Sequence, residues 1–265
     1  MSGLRTAVGF LTRVPVGGGP GDVRRAVPWF PVVGALVGLA VGGAYAGMFE
    51  LVPATVAAAV AIVLGLLITG AFHEDGLADV ADAFGGGWTR EDRLRILKDS
   101  RHGTYGVAAM CSSIVLRMLS LAALGPAAGF AAVVAAHALG RSAAVATMIT
   151  APQAQPDGLA ATLTDPLPPL GPVPFTGDAT PPTGSQARRI AGVVAGVVIA
   201  TVAIGWWVAV AAGLAVVGTG AVVVLAVRKI GGVSGDVLGT VEQVVECLTL
   251  IAVTALAGRH PLWWR

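Results

Sequence analysis

The sequence predicts an all-α, polytopic integral membrane protein, with about seven transmembrane helices and an N-terminal amphipathic helix. Three observations carry this. Of 265 residues, 55% are hydrophobic and only 12% charged, whereas a soluble domain carries about twice that charge. The apolar residues fall into long runs, and roughly 20 helical residues cross a hydrocarbon core about 30 Å thick. Glycine and alanine are abundant, which suits helices that pack closely in lipid, and no segment shows the alternation of a barrel strand.

Taken in order, residues 4–14 read as a short amphipathic helix on the membrane surface, because the apolar core there is too short for a signal peptide and Arg13 interrupts it. Residues 29–49 and 51–72 give two spans, divided near Glu50 and Pro53. Residues 73–104 are polar and read as a long loop or surface helix. Residues 105–125 and 127–149 give two more spans, broken at Gly125-Pro126. Residues 150–188, rich in Pro, Gly and Thr, cannot pack a core and read as a cytoplasmic loop. The apolar run 190–227 is too long for one span, and the Gly-Trp-Trp at 205–207 is its expected turn. The last span covers about 241–258. No soluble domain boundary and no internal repeat is visible, so residues 1–265 read as one membrane-embedded catalytic domain. Cys111 and Cys247 lie in apolar stretches with neither disulfide nor zinc spacing.

Lys and Arg set the orientation. Arg5, Arg13, Arg24 and Arg25, then Arg90, Arg93, Arg95, Lys98 and Arg101, then Arg188 and Arg189, then Arg228 and Lys229 all fall on one side of a seven-span chain. The other side keeps Arg259 and Arg265. The expected topology is a multi-pass inner-membrane protein whose polar motifs face the cytoplasm.

Three polar stretches carry candidate chemistry. In "HEDGLADVADAFGGG", residues 73–87, a continued helix puts Asp75, Asp79 and Asp82 on one face at i, i+4 and i+7. Like charges so spaced repel, and hard oxygens suit Mg2+ or Mn2+; Mg2+ is usually held by one or two carboxylates plus substrate phosphates. Gly76 lets a phosphate or another helix approach. His73 reads equally as a ligand or an interfacial group, while Glu74 faces away from the stripe and reads as part of a solvated cap. In "RILKDSRHGTYG", residues 95–106, Lys98, Ser100, Arg101, Gly103 and Thr104 offer cations, hydroxyls and flexible backbone to a phosphate. His102 has no helper nearby and reads as a bystander. In "RKIGGVSGDVLGTVEQVVE", residues 228–246, Gly232 and Gly235 open a helix in the manner of an anion site, and Asp236, Glu242 and Glu246 offer a second set of metal oxygens. Within the spans, Arg141 stands one turn from His137, and a buried arginine needs a partner or a wet cavity. Arg141 therefore reads as functional, and Arg117 is left open. Two acidic clusters beside glycine-rich basic loops point to metal-assisted phosphoryl transfer.

These motifs resemble those of the adenosylcobinamide-GDP ribazoletransferase (cobalamin synthase) family. "AFHEDGLADVADA", "KDSRHGTYG" and "GGVSGDVLGTVEQVVE" are similar to that family's "GFHxDGLADxxDG", "KDSRxGTxG" and "GGxxGDxLGAxxExxE", in the same order across nearly the whole chain. "FLTRVPV" and "WFPVVGALVG" resemble its N-terminus. Ala83 stands at a common glycine, and Glu74 and His102 fall at variable positions. The resemblance implies a Mg2+-dependent membrane enzyme that joins adenosylcobinamide-GDP to α-ribazole, or to α-ribazole 5′-phosphate, and releases GMP. It implies that Asp75, Asp79 and Asp82 hold Mg2+ against the diphosphate, and that Lys98, Ser100, Arg101 and Thr104 bind phosphate or guanosine. Asp236, Glu242 and Glu246 would complete the metal site or activate the ribazole hydroxyl. The expected partners are these substrates and the lipid bilayer, with a second copy of the chain as a candidate and no nucleic acid. A CDP-alcohol phosphatidyltransferase would carry an Arg where Asp79 stands. A transporter would put its charges near the bilayer midplane, whereas here they crowd one face.

Overall fold

The computed structural model describes residues 3–17, 22–155, 163, 184–260 and 262. Most of the Pro-rich loop and the final residues, Arg265 included, lie outside the described residues. Ten helices carry the described chain: α1 Gly3–Leu11, α2 Phe30–Phe49, α3 Ala54–Thr69, α4 Phe72–Gly86, α5 Arg90–Ile96, α6 Thr104–Ala122, α7 Pro126–Thr150, α8 Gly184–Ile204, α9 Val208–Ile230 and α10 Gly235–Ala257. Among the described residues there is no strand, only one parallel bridge between Gln153 and Val233. The fold is all-α, as expected.

Among the described residues, five helical stretches are long and apolar enough to cross a membrane, and a sixth if the bent pair α3–α4 counts as one. One of the five, residues 184–230, folds back on itself. Gly205 adopts φ +61°, and Val193 of α8 and Val223 of α9 then line the same cleft over α7. The turn falls at the predicted Gly-Trp-Trp. Outward-facing valines such as Val216, 73% exposed, and Val217, 68% exposed, are what a lipid-facing surface presents.

Helix α7 is the central post, and glycine lets its neighbours approach. Gly34, Gly38 and Gly42 of α2 repeat every fourth residue against α7. A Cβ at Gly38 would stand 2.8 Å from the Val134 Cα, and one at Gly42 3.0 Å from the Phe130 carbonyl oxygen. Close backbone contact is how helices associate where lipid removes the hydrophobic drive between them. Tyr45 closes the far end, its hydroxyl donating to the carbonyls of Leu121 and Leu124 at 2.8 and 2.6 Å.

The predicted second span is shorter than expected. Its helix stops at Thr69, and α4 leaves at 89° to α3. Gly70 and Ala71 both hold left-handed backbone, with φ +68° and +54°. For alanine that conformation is strained, and the N-terminal segment holds it: the Arg13 N–H donates to the Ile68 carbonyl at 2.7 Å, and the Arg13 side chain packs on Gly70. The turn directs the acidic helix away from the α3 axis and against α6 and α10.

Candidate active site

Helix α4 sits against the start of α10 and the start of α6. A Cβ at Gly76 would come 3.0 Å from the Asp236 carbonyl oxygen, so Gly76 admits a helix, and Gly239 packs in return against the His73 backbone. The Thr240 hydroxyl donates to the Gly76 carbonyl at 3.2 Å. Ser234 caps α10, accepting from the Val237 N–H, and its hydroxyl donates to the Asp236 carboxylate at 3.2 Å. This packing brings Asp236 to the stripe of α4.

Asp75 projects outward, its side chain 63% exposed, and Asp79 is more enclosed at 15%. Burial, reinforced by the charges of Asp75 and Asp236, pushes the Asp79 carboxyl up to about 6. His102 lies across the pair, Nε2 3.3 Å from Asp75 and Nδ1 3.5 Å from Asp79. The sequence reading of His102 as a bystander is corrected: the α5–α6 loop delivers it to the acidic face, a tertiary contact with no local signal.

Asp82 departs from the expected stripe. The start of α6 covers it, and its carboxylate accepts from the Gly103 and Gly106 N–H groups at 2.6 and 2.9 Å. It serves as the cap of α6, satisfying amides that a helix start leaves without partners. Gly103 is thereby corrected as well, since its backbone faces Asp82 rather than an open cradle. Lys98, Ser100, Arg101 and Thr104 are exposed, on the α5–α6 loop and at the start of α6. Arg101 is held within the loop, its Nε and Nη2 donating to Asp99 at 3.0 and 2.8 Å, and this pairing drops the Asp99 carboxyl to about 2. Gly232 is buried against residues 152–154, where a Cβ would meet the Pro152 carbonyl oxygen at 2.6 Å, so the anion role expected of it is also corrected. Gly235 begins α10 beside Leu238 in a narrow crevice with Phe10 and Phe72.

Two of the cations used to orient the chain, Arg90 and Arg93, cap α9, and a third, Lys229, reaches from α9 to the end of α4. The Arg90 side chain donates to the Ile230 carbonyl at 2.9 Å, Arg93 to the Lys229 carbonyl at 3.2 Å, and Lys229 to the Phe84 carbonyl at 2.7 Å. These contacts couple the α4–α5 turn to the end of α9.

Glu242 and Glu246 belong elsewhere. They sit in a buried ion cluster with Glu74, Arg117, Arg141, His73 and His137. His73 Nε2 is 2.6 Å from Glu242 Oε2, and Arg141 Nη1 is 2.5 Å from Glu242 Oε1. Arg141 also pairs with Glu246, which His137 Nδ1 meets at 2.6 Å. Arg117 bridges Glu246 at 3.1 Å and Glu74 at 2.7 Å, and Gln243 donates to Glu74 at 3.1 Å. Gly140 lets α10 approach, a Cβ there standing 2.9 Å from Glu242 Cγ. The expectation that Glu242 and Glu246 complete one metal set with Asp75 is corrected, because arginine and histidine already neutralise them. So are a direct substrate contact for His73 and Arg141, and a solvated cap for Glu74. Arg117, left open from sequence, is the link between α4, α6 and α10. A buried charge is tolerated when paired, and this cluster ties the first turn of α4 to α6, α7 and α10.

Among the described residues no three His, Cys, Asp or Glu side chains form a ready metal cage. Mg2+ does not require one, since it is commonly bound through one or two carboxylates and substrate phosphates. Asp75, Asp79 and Asp236 fit that pattern: hard oxygens at one face, with Asp79 raised by burial and then by the charges of Asp75 and Asp236.

The family model described as cobalamin-5-phosphate synthase matches residues 3–254. A Ralstonia pickettii protein named adenosylcobinamide-GDP ribazoletransferase is 39% identical over 267 residues, covering 95% of this chain and 94% of its own. A Bradyrhizobium diazoefficiens protein of the same name is 40% identical over 261 residues, covering 95% and 93%. One from Rhizobium etli is 38% identical over 265 residues, covering 94% and 95%. No solved structure matches.

Proposed function

The chain belongs to the cobalamin-5-phosphate synthase family, and from that membership we propose that it transfers the phosphocobinamide group of adenosylcobinamide-GDP to α-ribazole or its 5′-phosphate, releasing GMP. The product is adenosylcobalamin or its 5′-phosphate. The observation that carries the site assignment is the gathering of Asp75, Asp79 and Asp236 at one face, with Asp79 raised to about 6. Charge so concentrated favours a cation and, through it, a diphosphate.

In this reading Asp75, Asp79 and Asp236 hold Mg2+, which when bound neutralises charge on the diphosphate and on the departing GMP. The ribose 3′-hydroxyl forms a bond to the corrinoid-side phosphorus, and the bond from that phosphorus to the GMP oxygen breaks. The hydroxyl proton passes to His102, which Asp79 orients from 3.5 Å at Nδ1. Such transfers need positioning and charge neutralisation more than a strong base. Lys98, Ser100 and Thr104 receive phosphate or guanosine, and Asp82 acts by fixing the start of α6. Glu74, Glu242, Glu246, Arg117 and Arg141 act by holding α4 to α10. In the same reading the protein is an inner-membrane one with this face in the cytoplasm, and the Lys and Arg collected on the α4 side support that orientation.

The test is GMP release by the purified chain from adenosylcobinamide-GDP and α-ribazole, with EDTA and with Mg2+ restored. Loss on chelation and recovery with Mg2+ are expected. Full turnover in excess EDTA would remove the metal, and no GMP under any condition would remove the reaction.

A further inference from the structure

A second concave site opens at the other end of α1 from the α3–α4 elbow. Phe10, near the end of α1, touches Phe72 at 5.7 Å between ring centroids, while Gly3 at its start borders a cleft of about 640 Å³. Nine helical residues separate the two ends by about 13 Å. The cleft lies between the turns that precede α2 and the first three turns of α8. Glycine builds it: a Cβ at Gly192 would meet the Pro28 Cα at 3.0 Å, and one at Gly3 would meet the Trp29 indole at 2.9 Å. None of its lining residues belongs to the acidic face.

The lining has two halves. At the mouth stand Arg24, Arg25 and Arg188, with Asp22 offsetting only part of their charge. Asp22 accepts from the Arg24 N–H at 3.0 Å and pairs with Arg25 at 3.3 Å. The Trp29 side of the cleft is apolar, with Val32 of α2 and Ala191 and Ala195 of α8 continuing into the membrane-crossing part of the two helices. An orientation signal alone would scatter cations along a loop. Here residues more than 150 positions apart in sequence converge on one concavity, whose volume lies in the range of small-molecule sites. A net positive mouth over an apolar floor at the start of two spans suits an anionic group attached to an apolar body. Arginine forks suit phosphate oxygens, and Trp and Arg concentrate at the level of lipid headgroups.

We propose that this cleft binds a phosphate ester, with the phosphate on Arg25 and Arg188 and the apolar remainder against Val32 and Ala195. The ester reaches it from the bilayer, as an anionic phospholipid, or from solution, as a soluble monoester. The test uses the full chain in detergent and follows its melting temperature against phosphatidylglycerol, phosphatidylcholine and glycerol 3-phosphate. For phosphatidylglycerol a saturable rise is expected, with none of similar size for phosphatidylcholine. A charge-assisted hydrogen bond is worth roughly 1.5–3 kcal/mol, and each 1.4 kcal/mol is tenfold. Arg25→Gln with Arg188→Gln should therefore raise the half-saturating concentration at least tenfold. Arg25→Lys with Arg188→Lys should fall between. A rise with glycerol 3-phosphate that the Gln pair abolishes assigns the ester to solution, whereas an effect of phosphatidylglycerol alone assigns it to the bilayer. Equal responses of wild type and the Gln pair, or equal effects of phosphatidylglycerol and phosphatidylcholine, would overturn the site.

Discussion

Replacing Asp79 by Asn keeps the side chain's size and removes one charge from the centre of the acidic face. The Asp79 carboxyl is raised from 3.8 to about 6, chiefly by burial and then by Asp75 and Asp236. A rise of about two pH units corresponds to about 3 kcal/mol at about 1.4 kcal/mol per unit. The folded chain keeps this proton up to about pH 6, while the unfolded chain releases it near 4. Folding therefore binds a proton between those values, and metal-free stability falls as pH rises through that window. Asp79→Asn should reduce the fall, leaving the part that the raised Asp236 contributes, and leave the metal-free protein about 2–3 kcal/mol more stable at neutral pH. At roughly 2–4 °C per kcal/mol, the melting temperature rises by about 5–10 °C. Turnover should drop about 10²–10³-fold, the usual loss when one electrostatic stabiliser of a transition state is removed. The assay is GMP release beside melting of the detergent-solubilised, EDTA-treated chain from pH 4 to 8. Near-normal turnover, or a variant that melts lower at pH 7, would refute the reasoning.

Three further outcomes are expected. Arg117→Met strands Glu74 without its cation and should cost about 3–5 kcal/mol, seen as a lower melting temperature and a lost sensitivity to Gln243→Leu; unchanged melting would remove the buried cluster as a clasp. Gly38→Leu forces side-chain atoms into a gap where a Cβ alone already comes within 2.8 Å of Val134, and overpacking should destabilise by at least about 1–3 kcal/mol; wild-type melting would contradict the α2–α7 contact. In a Cys111→Ser background, Gly86→Cys, at an open position, should escape an impermeant thiol reagent in intact cells while Glu50→Cys is labelled; the reverse pattern would invert the proposed orientation.

Much of the architecture was legible because hydrocarbon imposes simple rules on length and charge. The turn at residues 205–207 and a short helix at the start appear where composition put them, though α1 ends at Leu11 rather than at residue 14. The elbow was not legible, because its second residue is Ala71, and nothing in alanine's preferences announces a left-handed backbone. Within α4, helical periodicity assigned Asp75 and Asp79 to one stripe and Glu74 to another face. It could not say what that other face meets, and water was assumed where α6 and α10 supply Arg117 and Gln243. Asp82 shows the converse: it shares the stripe by angle, yet the first turn of α6 covers it. The sign of charge groups the two glutamates of α10 with the aspartates, but arginine and histidine hold them in the buried cluster.

The buried cluster also bears on how the chain is made. Glu74 meets Arg117 across 43 residues, so that pair can form early in synthesis. The carboxylates that answer Arg141 lie more than 100 residues later, in the last helix. Until the ribosome has delivered α10, the arginine of α7 lacks those partners, at a cost near 2.5–3.5 kcal/mol on insertion scales. Gln243 and Glu242, which secure the first turn of α4, arrive with the same helix. A nascent chain therefore has no assembled acidic face, and one cut short before α10 presents a polar defect in the bilayer that quality-control proteases can recognise.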